Sequence, residues 1–394
     1  MTKIDLVKGF RDYTGEEALK RAKVKEIIEK AFSVYGFEPA ETPIIENEEF
    51  VKGDNSDDEA VSDVFKLKDK GKRKLALRYE FTFQAKRIAQ NKKLPYKRYC
   101  IGPVFRDEPV RPGRYRQFIQ CDVDIIGASE ITADAEILAL AKTIFYKLKI
   151  PIEIQVNNRK LLSAIVGKFV RDKNTEKAIV REIDKLVKDR DGAYKGLVGL
   201  LGEKRTDELL SYFDKDLKFF IKEGFEGADE IRELEKLCKI YGVKIKFVPS
   251  LARGLSYYVG NIFEIVSPKY KFTITAGGRY NVNGNQSVGI SFGLDRLAEI
   301  AEGLDIRKVK AMVISVKQDE EAIKLTEKLR SENVGSVVMY GKIGKAMEYA
   351  NAKDISYAIF VGEREAKEGK FKLRDMKTGK EKLLSLDKLV KELR

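Results

Sequence analysis

The sequence predicts an α+β protein in three parts: a mixed body carrying a sheet, a helical insertion inside it, and a small C-terminal α/β domain. Three observations predict this. Strand-like runs bracket a basic loop in "YCIGPVFRDEPVRPGRYRQFIQCDVDIIG", residues 99–127. The texture turns charged and helical between about Leu161 and Leu237, and from near Arg307 short apolar strands alternate with helices. The boundaries read as 1–160 and 238–304 for the body, 161–237 for the insertion and 308–394 for the terminal domain.

Glu16 to Tyr35 is rich in Ala, Glu and Lys, with Ala22, Ile27, Ala31 and Val34 near helical spacing, and reads as an amphipathic helix ending near Gly36. In "GFEPAETPIIE", Pro39 and Pro43 break helical continuation and favour extended chain. Val64 to Leu77 reads as a hairpin turning at "DKGKRK". "KAIVREIDKLVKDR", "RTDELLSYFDKDLKFFIKEG" and "ADEIRELEKLCKIYG" are the helical insertion, after which "VKIKFVPSLARGLSYYVGNIFEIV" and "KFTITAGGRY" return to strand character and "GLDRLAEIAEGL" to helix. In the terminal domain "KAMVISV", "GSVVMY" and "ISYAIFVG" are strands of a parallel sheet separated by helices, followed by a charged hairpin and a final helix.

Composition limits the chemistry. With 394 residues, 43% hydrophobic and 35% charged, the chain can bury a large core. It has no apolar run long enough to span a bilayer and no charged-then-apolar leader, so the expectation is a cytoplasmic protein without membrane contact. The net charge of +14 suits a polyanionic partner such as nucleic acid, and a Lys-rich solvated surface gives the same total. Residues 308–394 carry 20 Lys and Arg against 14 Asp and Glu, a net +6, with the same two readings. Cys100, Cys121 and Cys238 form no CxxC pair, which argues against a disulfide framework or structural zinc. The chain has 0 histidines, which removes every mechanism built on an imidazole base or a His-ligated metal. Carboxylates, arginines, a phosphate or an oxygen-ligated ion must carry the chemistry.

Strand parity locates that chemistry. From Tyr115 onward one face takes Tyr115, Gln117, Ile119, Cys121, Val123 and Ile125, suited to a core, while the other takes Arg116, Phe118, Gln120, Asp122 and Asp124. A similar polar row is expected on "ALRYEFT", with Arg78, Glu80 and Thr82 on one face. The plain reading is a solvated sheet face. Two such rows beside a loop with Arg106, Arg111, Arg114 and Arg116 favour a site for a small anionic ligand with a planar ring. Phe118 could stack a base and Arg106 could fork onto a phosphate. In "RGLSYYVGNIFE" an arginine precedes two tyrosines, expected on a strand, and in "AGGRY" Gly277 and Gly278 leave room for a ligand or a neighbouring backbone.

In this order, these stretches resemble the class II aminoacyl-tRNA synthetases and, among them, the histidyl-tRNA synthetase family. "GFEPAETP" is similar to the dimer-forming first motif, "FRDEPVRPGRYRQFIQCDVDIIG" to the second and "VGISFGLDRL" to the third; "LARGLSYY" and "AGGRY" resemble two stretches peculiar to the histidine enzymes. "LRYEFT" and "QCDVDIIG" look closer to the archaeal and eukaryotic branch. The resemblance implies an antiparallel class II sheet, a C-terminal anticodon-binding domain, a homodimer, and L-histidine, ATP and histidine tRNA as substrates.

It also implies residue roles. Glu80, Phe81, Thr82 and Gln120 would take the amino-acid end of histidine; Asp124, Tyr257, Tyr258 and Tyr280 would line the imidazole. A buried acceptor facing a ring N–H penalises side chains that cannot donate, which reaches roughly 10⁴ in discrimination. Arg106, Glu108, Arg114, Phe118 and Arg296 would hold ATP, and Arg253 would sit at the α-phosphate and the histidine carboxylate. Mg²⁺ would bridge the β- and γ-phosphates with help from Glu108. Ser256 and Asn281 stand where the family usually has aspartate. A catalytically silent, histidine-sensing regulatory subunit on the same fold is the alternative, and the presence of Arg106, Arg253, Arg296 and the basic tail speaks against it.

Overall fold

The computed structural model describes residues 5–52, 63–110, 114–187, 189–253, 257–270, 273–304, 306 and 309–394. The chain forms two compact units, Met1–Leu304 and Asp305–Arg394. Arg111 and Ser256 lie outside the described residues.

The first unit is built on an eight-stranded sheet. Its order is Glu38–Pro39, Tyr96–Phe105, Gln117–Ile126, Asn285–Gly293, Thr273–Val282, Tyr258–Val266, Glu153–Asn158 and Ile245–Phe247. The six strands from Tyr96–Phe105 to Glu153–Asn158 pair antiparallel, and the short edge strands Glu38–Pro39 and Ile245–Phe247 pair parallel. Parity behaves as expected on the central strand: Cys121, Val123 and Ile125 are buried in the main core against Val24, Ile28, Phe32, Leu138 and Phe145 of two covering helices, Gly15–Val34 and Ile131–Lys147. The opposite face carries Gln120, Asp122 and Asp124, which are buried as well. It is therefore a walled cleft, and the solvated-face reading fails.

Two local expectations are corrected. The helix Gly15–Val34 buries Val24, Ile28, Ala31 and Phe32, while Ala22 and Val34 are exposed. The stripe thus runs one position off the apolar spacing, because Phe32 carries the packing against Tyr99 and Phe292. "ALRYEFT" is no continuous strand: pairing ends at Leu77 and a helix, Thr82–Ala89, follows. Period-two alternation cannot foresee a chain that changes structure inside seven residues.

The helical block holds Arg159–Gly167, Lys173–Lys185, Arg190–Leu201, Glu203–Ser211, Leu217–Lys222 and Ala228–Ile240. Asn158, Asp172, Asp189 and Asp216 cap four of these, each side-chain oxygen accepting a backbone N–H of the first turn, worth about 1 kcal/mol apiece. Leu161, Leu162, Ile179, Leu197 and Phe220 from these helices share one continuous core with Val156 and Phe263 of the sheet.

The second unit is a five-stranded sheet in the order Ser336–Met339, Ala311–Ser315, Tyr357–Val361, Lys370–Asp375, Glu381–Ser385. The first three strands are parallel and the charged hairpin adds the last two antiparallel. On Ala311–Ser315, Val313 faces one core and Met312 and Ile314 the other, so helices cover both faces and the strand reads as unbroken apolar sequence.

Candidate active site

The cleft is set by register. Gln120 lies opposite Gly102 and Gly293, Asp122 opposite Cys100 and Ser291, and Asp124 opposite Arg98 and Gly289. Small residues flank Gln120 and Asp122 on both sides, while Asp124 has Gly289 on one side and Arg98 on the other. At Gly289 a Cβ would stand 2.1 Å from Asp124 Oδ1. Gly277 and Gly278 serve the sheet: a Cβ at Gly277 would stand 2.1 Å from the Gly289 carbonyl oxygen, and one at Gly278 2.7 Å from that of Asn261. The room they provide is for neighbouring backbone.

Asp124 is held by one ion pair and one hydrogen bond. Arg98 Nη2 lies 2.8 Å from Oδ2, and the Tyr280 hydroxyl donates to Oδ1. Arg98 is fully buried, its Nη2 also donating to the Phe81 carbonyl and its Nη1 contacting Cys100 Sγ at 3.0 Å. Burial pushes the Asp124 carboxyl up, against the opposing pull of Arg98 and Tyr280. Asp122, which accepts from Gln120 Nε2 at 2.9 Å, is pushed up to about 6 by burial and the charge of Asp124. Glu80 is pushed up to about 7, again by burial first and then by Asp122. A cavity of about 370 Å³ opens beside this end, lined among others by Thr82, Tyr257, Tyr280 and Asn281. Tyr257 stands 4.7 Å from Tyr258 and 5.7 Å from Tyr280 between ring centroids.

The guanidiniums gather at the other end. Arg106 lies between two aromatic rings, 4.3 Å from the Tyr79 centroid and 5.1 Å from that of Phe118. Arg296 is held below its ordinary value by burial and then by repulsion from Arg114 and Arg106, so these three stand within Coulomb reach of one another. Arg253 joins them through one short chain: its Nη1 meets Glu264 Oε1 at 2.7 Å, the Thr273 hydroxyl donates to Glu264 Oε2 at 2.6 Å, and Arg296 Nη1 donates to the Thr273 carbonyl at 3.0 Å. Arg114 also reaches Glu108, at 3.2 Å. The Nε atoms of Arg106 and Arg253, like that of Arg98, are buried without a hydrogen-bond partner.

Some placements differ from expectation. Arg253 and Tyr257 precede the strand, which begins at Tyr258. The Phe81 ring is buried beneath the Arg78 guanidinium, at 4.6 Å, so only its main chain faces the polar groups. Arg78 itself is an internal tie, donating to the carbonyls of Pro103 and Thr42. Sequence reasoning missed Arg98, Glu264 and Asp295. Asp295 accepts from Tyr13, Arg21 and the Ile119 amide, anchoring the first turn of the helix that carries Arg296. Hairpin register would have found Arg98, because carrying the pairing of the two strands one residue ahead of the quoted stretch sets it against Asp124.

The donor set bears on magnesium. Among the described residues no three carboxylate or thiol groups gather as a metal-binding cluster. Glu108, in the arginine-bearing loop, is one carboxylate beside the cationic end, and Mg²⁺ fits a site with one or two carboxylates when substrate phosphates complete its shell.

Residues 310–394 match the family model described as Anticodon binding domain. A body joined to such a domain is the build of an aminoacyl-tRNA synthetase, and the antiparallel sheet places it in class II. Residues 9–297 match the model described as Histidyl-tRNA synthetase, and the chain belongs to that family. It is 35% identical to histidine–tRNA ligase 1 of Bacillus cereus, covering 98% of this chain and 99% of the relative. It is 32% identical to histidine–tRNA ligase of Methanocaldococcus jannaschii, covering 97% of each. These values do not single out a branch. The structure of histidyl-tRNA synthetase from Nostoc sp. PCC 7120 superposes with a TM-score of 0.88 at 23% identity, covering 100% of this chain and 99% of that one. An ATP phosphoribosyltransferase regulatory subunit/histidyl-tRNA synthetase from Bacillus halodurans gives 0.78 at 19%, covering 91% and 98%. At these two identities the likeness is one of fold.

Proposed function

We propose that the protein is a cytoplasmic, homodimeric histidine–tRNA ligase. It activates L-histidine with ATP to histidyl-adenylate and pyrophosphate, then passes histidine to the 3′ end of histidine tRNA. The division into catalytic (1–160 and 238–304), insertion (161–237) and anticodon-binding (308–394) domains belongs to the same reading. No helix among the described residues is long and apolar enough to cross a membrane.

The observation that carries the reading is the linked set Arg106, Arg114, Arg296 and, through Glu264 and Thr273, Arg253, next to a trough of buried carboxylates. Adenylate formation brings an anionic carboxylate onto an anionic phosphorus. Fixed guanidiniums neutralise the accumulating charge without reorganising, so positioning and electrostatics suffice and no imidazole is required. In this assignment Arg106 and Arg253 hold the α-phosphate, and Arg253 also takes the histidine carboxylate. Phe118 stacks on adenine, its ring shared with the Arg106 guanidinium. Arg296 and Arg114 face the outer phosphates. Glu108 would help to hold Mg²⁺ together with the phosphates of ATP, and the ion would supply further charge neutralisation. Glu80, Thr82 and Gln120 meet the amino group, and Asp124 with Tyr257, Tyr258 and Tyr280 reads the ring. For transfer, a phosphate oxygen of the adenylate accepts the proton of the attacking ribose hydroxyl.

ATP–pyrophosphate exchange with each amino acid in turn tests the reading. Histidine alone is expected to support it. Absence of exchange with histidine would favour the silent, histidine-sensing subunit, for which phosphate-facing arginines have no task.

A further inference from the structure

Resting on that reading, we propose that Asp122 is a substrate-binding carboxylate that shares the α-ammonium of histidine with Glu80 and Gln120. The three carboxylates in the cleft are not equivalent. Asp124 Oδ2 accepts no hydrogen bond but is ion-paired with Arg98 at 2.8 Å, and its Oδ1 lies under the Tyr280 hydroxyl. Asp122 is only 5% exposed, and its Oδ1 has no hydrogen-bond partner; Glu80 is 6% exposed, and its Oε1 has none either. A buried carboxylate oxygen without a donor is costly, and a site that keeps two of them is completed by a ligand that brings donors.

The chemistry of Gln120 names the ligand. Its Nε2 is committed to Asp122 Oδ2 at 2.9 Å, so what its amide has left for a substrate is the oxygen, an acceptor. Glu80 Oε1, Asp122 Oδ1 and the Gln120 amide oxygen are three acceptors, and an alkylammonium has three N–H donors. Asp122 stands between Cys100 and Ser291, and hydrogen bonding from the Ser291 hydroxyl and the Gln120 amide opposes the effect of burial on its carboxyl. Charge agrees. Glu80 at about 7 and Asp122 at about 6 repel each other, and a cation between them relieves both. Asp122 thus does more than orient Gln120: it is a direct contact, and it explains why the amide presents its oxygen.

The test compares L-histidine with 3-(imidazol-4-yl)propanoate, which lacks only the amino group, by calorimetric titration of the full chain. In the unaltered protein histidine binds tighter. In Asp122→Asn the ratio of the two affinities is expected to fall about tenfold or more, because only the ammonium loses a charged partner. Affinity for ATP stays within about twofold. If both ligands weaken equally, Asp122 is a structural support and the proposal is overturned. Thermal melting without ligand checks folding, and Asp122→Ser replaces Asp122→Asn should the latter not fold, with the same ratio read. Failure of the unaltered protein to bind histidine at all would instead sink the functional reading on which this one rests.

Discussion

Arg98 and Asp124 stand directly opposite each other on neighbouring antiparallel strands, Nη2 to Oδ2 at 2.8 Å, with the arginine wholly out of water. Such a pair is a weak net stabiliser, but breaking it strands a charge. Arg98→Met is expected to cost about 3–5 kcal/mol, read from urea unfolding. Arg98→Met combined with Asp124→Leu should regain most of that stability and still fail to bind histidine. A single variant as stable as the parent would show that the pair is not desolvated in solution.

Arg253 is held by Glu264, which Thr273 holds in turn. Arg253→Ala is expected to slow activation by about 10² or more with folding intact, read by pyrophosphate exchange. Glu264→Gln should act in the same direction but less, because it frees Arg253 without removing its charge. An unchanged rate in Arg253→Ala removes its assigned role.

The raised carboxyls give the empty protein a pH signature. Glu80 goes from an ordinary value of 4.5 to about 7 on folding, and Asp122 and Asp134 from 3.8 to about 6. Between those limits the folded state binds more protons than the unfolded one, so stability falls as pH rises. Their contribution is complete below about pH 4 and lost once pH passes about 7. The slope is at most about 1.4 kcal/mol per pH unit for each group. Melting temperatures at pH 5 and pH 8 should differ less in Glu80→Gln than in the parent.

Gly289 is where Asp124, the carboxylate proposed to read the ring, needs space, a Cβ there falling 2.1 Å from its Oδ1. Gly289→Ala should raise the histidine KM by about tenfold or more and leave the ATP KM near its parent value. Equal loss for both substrates would place the damage in the sheet.

A chain ending at Leu304 keeps the whole first unit and its core. It should fold, support histidine-dependent pyrophosphate exchange, and charge tRNA poorly. Normal charging would leave the basic second unit without its assigned role.

Much of this was legible in one dimension. The hairpin at residues 66–77, the strands ahead of Ile126, the helical block and the strand–helix alternation after residue 310 follow from apolar period and turn residues, all local signals. Parity put Gln120, Asp122 and Asp124 on one face before any coordinates. It could not say that this face is buried, because burial depends on what packs above it. The Arg78 row was misread for a related reason: alternation assumes a strand that the chain leaves at Leu77.

The sequence by itself determined which residue types were available: no imidazole, many arginines, and a polar strand face between apolar ones. Only the tertiary structure decided their jobs, separating Arg78 and Arg98, which are internal ties, from Arg106, Arg253 and Arg296, which gather around one end of the cleft. The physical reason is that a guanidinium's role depends on which acceptors meet it, and those come from other elements, as Arg98 shows, held by Asp124 across the strand pair and by the Phe81 carbonyl. Nearest-neighbour sequence carries no record of such meetings; strand register does.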